Sequence, residues 1–167
     1  MLDITKISSK YHVRKLSEDD INLIINVCLS NELFYKYTNA TPTKEAILED
    51  MKLTPPNVDI NNKYYVGFFE KDTLVAIMDL IDEYPNNKYA YIGFFMMNKI
   101  YQGKQIGSTI ISEVIDFLKQ MKKEYVRLAI DDGNPQSMHF WKKNGFIIIY
   151  EKNIDNYKKY VAEKKII

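Results

Sequence analysis

The sequence has one cysteine, Cys28, among its 167 residues. No disulfide can form within the chain, and no cysteine-based zinc site can be built. Cys28 falls in a predicted helix and reads as a small packing residue. The chain also lacks a charge bias: 23 basic and 22 acidic residues leave a formal charge of +1. That balance gives no electrostatic case for a nucleic-acid partner. No apolar run approaches the ~20 residues of a membrane span. The segment "MLDITKISSK" has no apolar signal core, so a cytoplasmic location is expected. Internal repeats and low-complexity linkers are absent from the sequence. There are two histidines, His12 and His139. Neither stands at one of the signature positions identified below, and no metal site is expected.

The length and the 46% hydrophobic content suit one domain with a single sizeable core, spanning residues 1–167. "YHVRKLSEDD" reads as a strand entering a helix, with Ser17 as N-cap and Asp20 three residues on. "LFYKYTNATPT" reads as an aromatic loop. Thr43 caps a predicted helix, Lys44 to Lys52, which Pro55-Pro56 terminates. "YYVGFFE" and "TLVAIMDLI" are strand-like and joined at Lys71-Asp72 as a hairpin. "YAYIGFFMM" is a third run. Gln105 to Lys122 predicts the strongest helix, with Ile106, Ile110, Val114, Phe117, Leu118 and Met121 on one face. "YVRLAI" is a short strand. Asn134 caps a helix that has Pro135 at its first position and ends at Gly145. "FIIIYE" and "YKKYVAEKKII" complete the pattern. The order predicts a mixed α/β fold (α+β mixed) with one central sheet of about six to seven strands and about four helices.

"YQGKQIGS", residues Tyr101 to Ser108, stands between a strand and the start of the longest helix. A helix N-terminus offers unpaired N–H groups and a positive dipole end. Glycines let an anion approach the backbone. The segment is not a Walker loop, because no G-K-[ST] triplet ends it, and it lacks the G-x-G-x-x-G pattern. By itself it fits a phosphate cradle, with Lys104 at the rim, and it fits a plain strand-to-helix turn equally well.

"NPQSMHFWKKNGF", Asn134 to Phe146, follows by a helix and a strand. Together the two segments resemble the signature segments of the GNAT N-acetyltransferase superfamily. There a Gln/Arg-x-x-Gly-x-Gly/Ala loop binds the pyrophosphate of acetyl-CoA. Here the loop corresponds to Gln102, Gly103, Lys104, Gln105, Ile106 and Gly107, with Ser108 next. The later segment corresponds to Asn134, Ser137, Phe140, Trp141, Gly145 and Phe146. The resemblance covers roughly residues 11 to 152 and implies a mostly antiparallel sheet in which one strand pair splays apart to hold the cofactor.

Two departures from the family pattern stand out. Gln105 takes a position where the family most often has glycine. A side chain there costs little if the residue has helical φ/ψ. Trp141 takes the position of a tyrosine that serves many members as the acid for the leaving thiolate. An indole does not titrate near neutral pH, so Trp141 cannot fill that role. It reads instead as a packing residue beside the cofactor arm.

The resemblance implies direct acetyl transfer from acetyl-CoA to a primary amine in a ternary complex. The backbone of Phe95, Met96 and Met97 would pair with the cofactor arm, and the Met97 N–H would face the developing oxyanion. Gly93 and its neighbours carry no glutamate. Asp79, Asp82 and Glu83 are the nearest candidates for a base or for amine attraction, and each also reads as a solvated rim carboxylate. Phe34, Tyr35 and Tyr37 lie where the family forms its acceptor pocket, although a surface aromatic cluster fits them as well. The expected partners are a small-molecule or peptide amine, with no nucleic acid and no membrane, in a monomer or homodimer. An acyl-CoA-binding sensor with little turnover is the alternative that Gln105 and Trp141 favour.

Overall fold

The computed structural model describes residues 1–38 and 40–167. Seven strands form one sheet: β1 (His12–Lys15), β2 (Lys63–Glu70), β3 (Thr73–Asp82), β4 (Tyr89–Met97), β5 (Tyr125–Asp131), β6 (Ile147–Ile154) and β7 (Tyr157–Lys165). Their spatial order is β1-β2-β3-β4-β5-β7-β6. Every neighbouring pair is antiparallel except β4 and β5, which run parallel. The element order predicts one central sheet, and its mostly antiparallel character is what the resemblance implies.

Five α-helices accompany it among the described residues: α1 (Ile21–Leu29), α2 (Glu32–Thr38), α3 (Lys44–Lys52), α4 (Ile106–Gln120) and α5 (Pro135–Lys143). The predicted caps form. The Ser17 hydroxyl accepts from the Asp19 N–H at 3.3 Å, and the Asp20 carboxylate accepts from the Ser17 N–H at 2.8 Å. Thr43 accepts from the Ala46 N–H at 3.1 Å. These bonds satisfy donors that a helix start leaves unpaired.

Two elements correct the sequence reading. The segment expected as an aromatic loop forms α2 over residues 32–38, while Asn39 in that segment lies outside the described residues. A helix this short is not stable alone. Phe34 holds it by packing edge-on against Tyr35 at 5.1 Å and Phe94 at 5.7 Å. α4 is also shorter than predicted. It ends at Gln120, so Met121 leaves the apolar face and is 41% exposed.

The core has two layers, one on each face of the sheet. α4 and α5 cover one face with Ile110, Val114, Leu118 and Trp141. α1 and α3 cover the other, where Ile24, Val27 and Ile47 meet Tyr65 and Ile77. Strand β3 is buried on both faces, which explains its continuous apolar run from Leu74 to Met78.

Two irregularities in β4 position the site. On one side its register against β3 slips: Asp79 faces Phe94 while Leu80 faces Ile92, which leaves Gly93 as a bulge. On the other, β4 pairs with β5 only from Tyr89 to Ile92, although it runs on to Met97. Past the bulge the two parallel strands part.

Candidate active site

A cleft of about 530 Å³ opens where β4 leaves β5. Its walls are the end of β4, the loop after it, the first turn of α4, one side of α5 and the corner between α1 and α2. The Asn98 N–H donates to the Val75 carbonyl at 2.8 Å. Strand alternation then directs the N–H groups of Phe95 and Met97 away from β3 and toward the cleft. The same alternation commits the Met96 backbone to its partner Ile77, so Met96 does not offer the cleft the backbone group expected of it. The Met97 carbonyl accepts from the Asn31 amide at 2.9 Å and the Gln102 amide at 3.1 Å. Gln102 is further tied to Asn31 Oδ1 at 2.6 Å, so its side chain pins the loop to the α1–α2 corner.

The loop before α4 carries two residues in the left-handed region, Gly103 at φ 74° and Gln105 at φ 63°. The helical backbone expected at Gln105 is therefore absent, and a side chain there is strained. Gln105 stands at the N-cap of α4 but its side chain caps nothing. Instead its Oε1 accepts from Lys143 Nζ on α5 at 2.9 Å. The first turn of α4, Ile106 to Ser108, thus presents backbone donors to the cleft without a competing cap. A Cβ on Gly107 would lie 3.2 Å from the Phe140 ring and 3.5 Å from Met97 Cγ. This glycine sets how closely α4 approaches α5 and β4. Lys104 is exposed and does not line the cleft.

On α5, buried Asn134 accepts from the Ser137 N–H at 3.1 Å, the predicted cap. Both residues line the cleft. Trp141 is 6% exposed and packs on Phe140, Phe146 and Phe95 with ring centroids 5.0, 5.1 and 6.0 Å away. Tyr101 is the tyrosine of the cleft wall, and its hydroxyl donates to Glu70 at 3.1 Å.

The three carboxylates expected at the rim separate. Glu83 is exposed in the turn after β3. Asp82 is buried and ion-paired with Lys123 Nζ at 2.6 Å. It faces Ala90, at the end of β4 remote from the cleft. Asp79 stands at the bulge. It is buried too, and its Oδ2 lies 2.6 Å from Lys63 Nζ, while Oδ1 has no hydrogen-bond partner among the described residues. A Cβ on exposed Gly93 would lie 2.8 Å from Oδ2. Burial raises the Asp79 pKa above the ordinary carboxylate value, and the Lys63 ammonium offsets part of that rise. The reading of Asp79 and Asp82 as solvated carboxylates is corrected.

Of the aromatic residues expected to wall an acceptor pocket, Phe34 lines the cleft. Tyr35 packs into the core beside Cys28, and burial and the thiol push its hydroxyl pKa well above the usual value. Tyr37 is 36% exposed and lies outside the cleft wall. His12 on β1 and His139 on α5 are both exposed. Sequence reasoning missed Asn31, Lys63 and Lys143. Lys63 reaches Asp79 diagonally across the β2–β3 pair, and no local pattern marks such a contact.

Residues 30–146 match the sequence pattern of the acetyltransferase (GNAT) family. The chain belongs to the GNAT family. Solved structures agree with this GNAT fold. PaiA N-acetyltransferase from Thermoplasma acidophilum, in complex with coenzyme A, is 20% identical, with 93% of this chain and 98% of that one covered at a TM-score of 0.66. An acetyltransferase from Thermus thermophilus is 14% identical, with 93% and 97% covered and a TM-score of 0.72. A spermidine N-acetyltransferase SpeG chimera from Vibrio cholerae and hSSAT is 16% identical, with 94% and 96% covered and a TM-score of 0.68. No curated protein matches this GNAT chain in sequence.

Proposed function

We propose that this GNAT protein, as one domain over residues 1–167, moves the acetyl group of acetyl-CoA to a primary amine by direct attack. One observation carries the reading: the cleft at the parted strands joins the uncapped start of α4 to Phe95–Met97 of β4, and Phe95 lies two residues past the bulge at which Asp79 stands. The donor is acetyl-CoA, which supplies an acyl thioester that a neutral amine attacks, releasing the thiol. A solved structure holding coenzyme A and another named for spermidine acetylation support the donor and an amine acceptor.

The backbone of Gly103 to Ser108 faces the pyrophosphate, with the positive end of α4 behind it. Lys104, from its exposed position, adds only long-range charge. Asn134, Ser137 and Trp141 border the cofactor arm. The Phe95 and Met97 N–H groups pair with it as an added strand would. Along a strand, Met97 is ~13 Å from Gly93 and Phe95 is ~7 Å. A reaction centre at the bulge therefore takes its oxyanion donor from Phe95, and Met97 serves the arm.

Asp79 accepts a proton from the incoming ammonium, which must be neutral to attack. Phe34 borders the acceptor. Trp141 supplies no acid, and Tyr101 is engaged with Glu70, so solvent protonates the thiolate. A thiol of pKa ~8.5 is a fair leaving group without help. No helix among the described residues is long and apolar enough to cross a membrane, and we place the protein in the cytoplasm as a monomer or homodimer.

The lock between Asp79 and Lys63 favours a second reading, a CoA-binding sensor with little turnover. One assay separates the two. The protein is mixed with acetyl-CoA and a panel of polyamines, amino acids and lysyl peptides, and free thiol is followed. We expect release with at least one amine. Tight CoA binding with no release across the panel would favour the sensor, and absence of CoA binding would refute both.

A further inference from the structure

We propose that Lys143 binds phosphate groups of the nucleotide end of the donor, and that Gln105 is the positioning residue that holds it there; this rests on the acetyl-CoA reading above. Lys143 lies in the last turn of α5 and is exposed. Its ammonium crosses to the N-cap of α4, 2.9 Å from Gln105 Oε1. That places a cation beside the uncapped helix start. An ammonium has three N–H donors, and Gln105 takes one.

The choice of glutamine fits this role. Gln105 sits at φ 63° and ψ 4°, where glycine would be free of strain. A side chain kept in such a conformation calls for a compensating contact, and the bond to Lys143 is the one it makes. The amide oxygen orients the ammonium without neutralising it, whereas a carboxylate would cancel the charge. The bond is not required to join the two helices, since Asn144 on the end of α5 already donates to Ser108 on α4 at 3.2 Å.

The surroundings extend the positive lining. Lys143 also borders a second groove of about 390 Å³ between α4 and β7, lined further by Lys119, Lys164 and Lys165. Asp116, 3.6 Å from Lys119, is the one carboxylate of that lining among the described residues. Lys164 is committed to the Asn144 carbonyl at 2.8 Å, so Lys143 is the lysine that joins groove and cleft. A polyanionic tail leaving the loop beside Lys143 meets this lysine-rich side.

The test is calorimetric titration of the full chain with CoA, 3′-dephospho-CoA and pantetheine at low and high salt. Lys143→Met keeps the aliphatic stem. It should weaken CoA by about tenfold to a hundredfold, the range of a charge-assisted hydrogen bond. It should flatten the salt dependence and leave pantetheine unchanged, while Lys143→Arg stays within about threefold of wild type. Gln105→Gly should raise Tm by relieving backbone strain, yet weaken CoA several-fold and flatten the salt dependence. A purely structural tie would leave the salt dependence alone. Loss retained with dephospho-CoA places Lys143 on the pyrophosphate, and loss confined to CoA places it on the 3′-phosphate; either supports the proposal. Lys143→Met binding CoA within twofold of a binding wild type would overturn it. Gln105→Gly matching wild type in affinity would overturn the positioning role. Failure of the wild type to bind CoA would instead sink the donor reading.

Discussion

The Asp79 carboxylate occupies the space that a side chain on Gly93 would need: a Cβ there would lie 2.8 Å from Oδ2. Gly93 is the bulge residue of β4 and is exposed, whereas Asp79 is buried on β3 behind it. The missing side chain brings a buried acid to the point where the two parallel strands part.

Gly93→Ala should therefore act on Asp79 rather than on the cofactor. The new methyl group must displace a carboxylate held 2.6 Å from Lys63 Nζ. We expect kcat to fall at least about tenfold, with a stability loss of about 1–3 kcal/mol from overpacking. Affinity for CoA should stay within about threefold by calorimetry. A matching loss of CoA affinity would mean that β4 itself had moved.

Asp79→Asn should lower kcat/KM by about 10²–10⁴-fold, the range of general base catalysis. The pH profile carries the sharper signature. Burial raises the Asp79 pKa, so wild-type activity should fall as pH drops through a value above the ordinary ~3.9. That acid limb should vanish in the variant. An unchanged limb would assign the proton transfer elsewhere. The same shift has a stability counterpart. The folded state binds the proton more readily than the unfolded one, so this residue's contribution falls as pH rises from about 3.9 through the higher native pKa.

Asp20 should behave in the opposite sense. Arg14 donates to both its carboxylate oxygens, at 2.9 and 2.8 Å, and the Ser17 N–H donates at 2.8 Å. The Arg14 hydrogen bonds lead in holding its pKa below the ordinary value. Its stabilisation is complete above about pH 3.9 and is lost as pH falls through the lower native pKa. Asp20→Asn should cost about 1–2 kcal/mol near neutral pH in urea denaturation. The gap from wild type should narrow in acid. A gap independent of pH would show that shape, not charge, sets the cost.

Trp141→Tyr should not restore a missing acid. The indole is buried among Phe95, Phe140 and Phe146, and a smaller ring leaves that cluster underpacked. We expect kcat to rise by no more than about threefold, well under the ~10²-fold lower end of general acid catalysis. Stability should drop by about 1–3 kcal/mol. The measurement is kcat with an accepted amine from about pH 6 to 9. A gain of about tenfold at neutral pH, fading toward the tyrosine pKa near ~10, would restore the acid to this position.

The parts of this molecule that were legible in the sequence are those built from neighbours along the chain. Ser17, Thr43 and Asn134 each bond a backbone N–H two or three residues away, so residue type and spacing suffice to place a cap. The apolar stripe of α4 repeats with the helical period, and only its frayed end at Met121 was misplaced. The two signature segments lie within short stretches, and they pointed to the family. The strand packing decided the rest. Asp79 looks like any acid near a strand end until the β2–β3 register sets Lys63 diagonally across from it. The aromatic stretch after α1 becomes α2 only because Phe34 finds Phe94 on the sheet. Gln105 reads as a helix former, and the loop closing onto α4 and α5 puts it in the left-handed region instead. Local hydrogen bonds and periodicity are written into consecutive residues. Register, bulge position and loop closure depend on which distant segments pack together, and the free energy of that packing outweighs local preference.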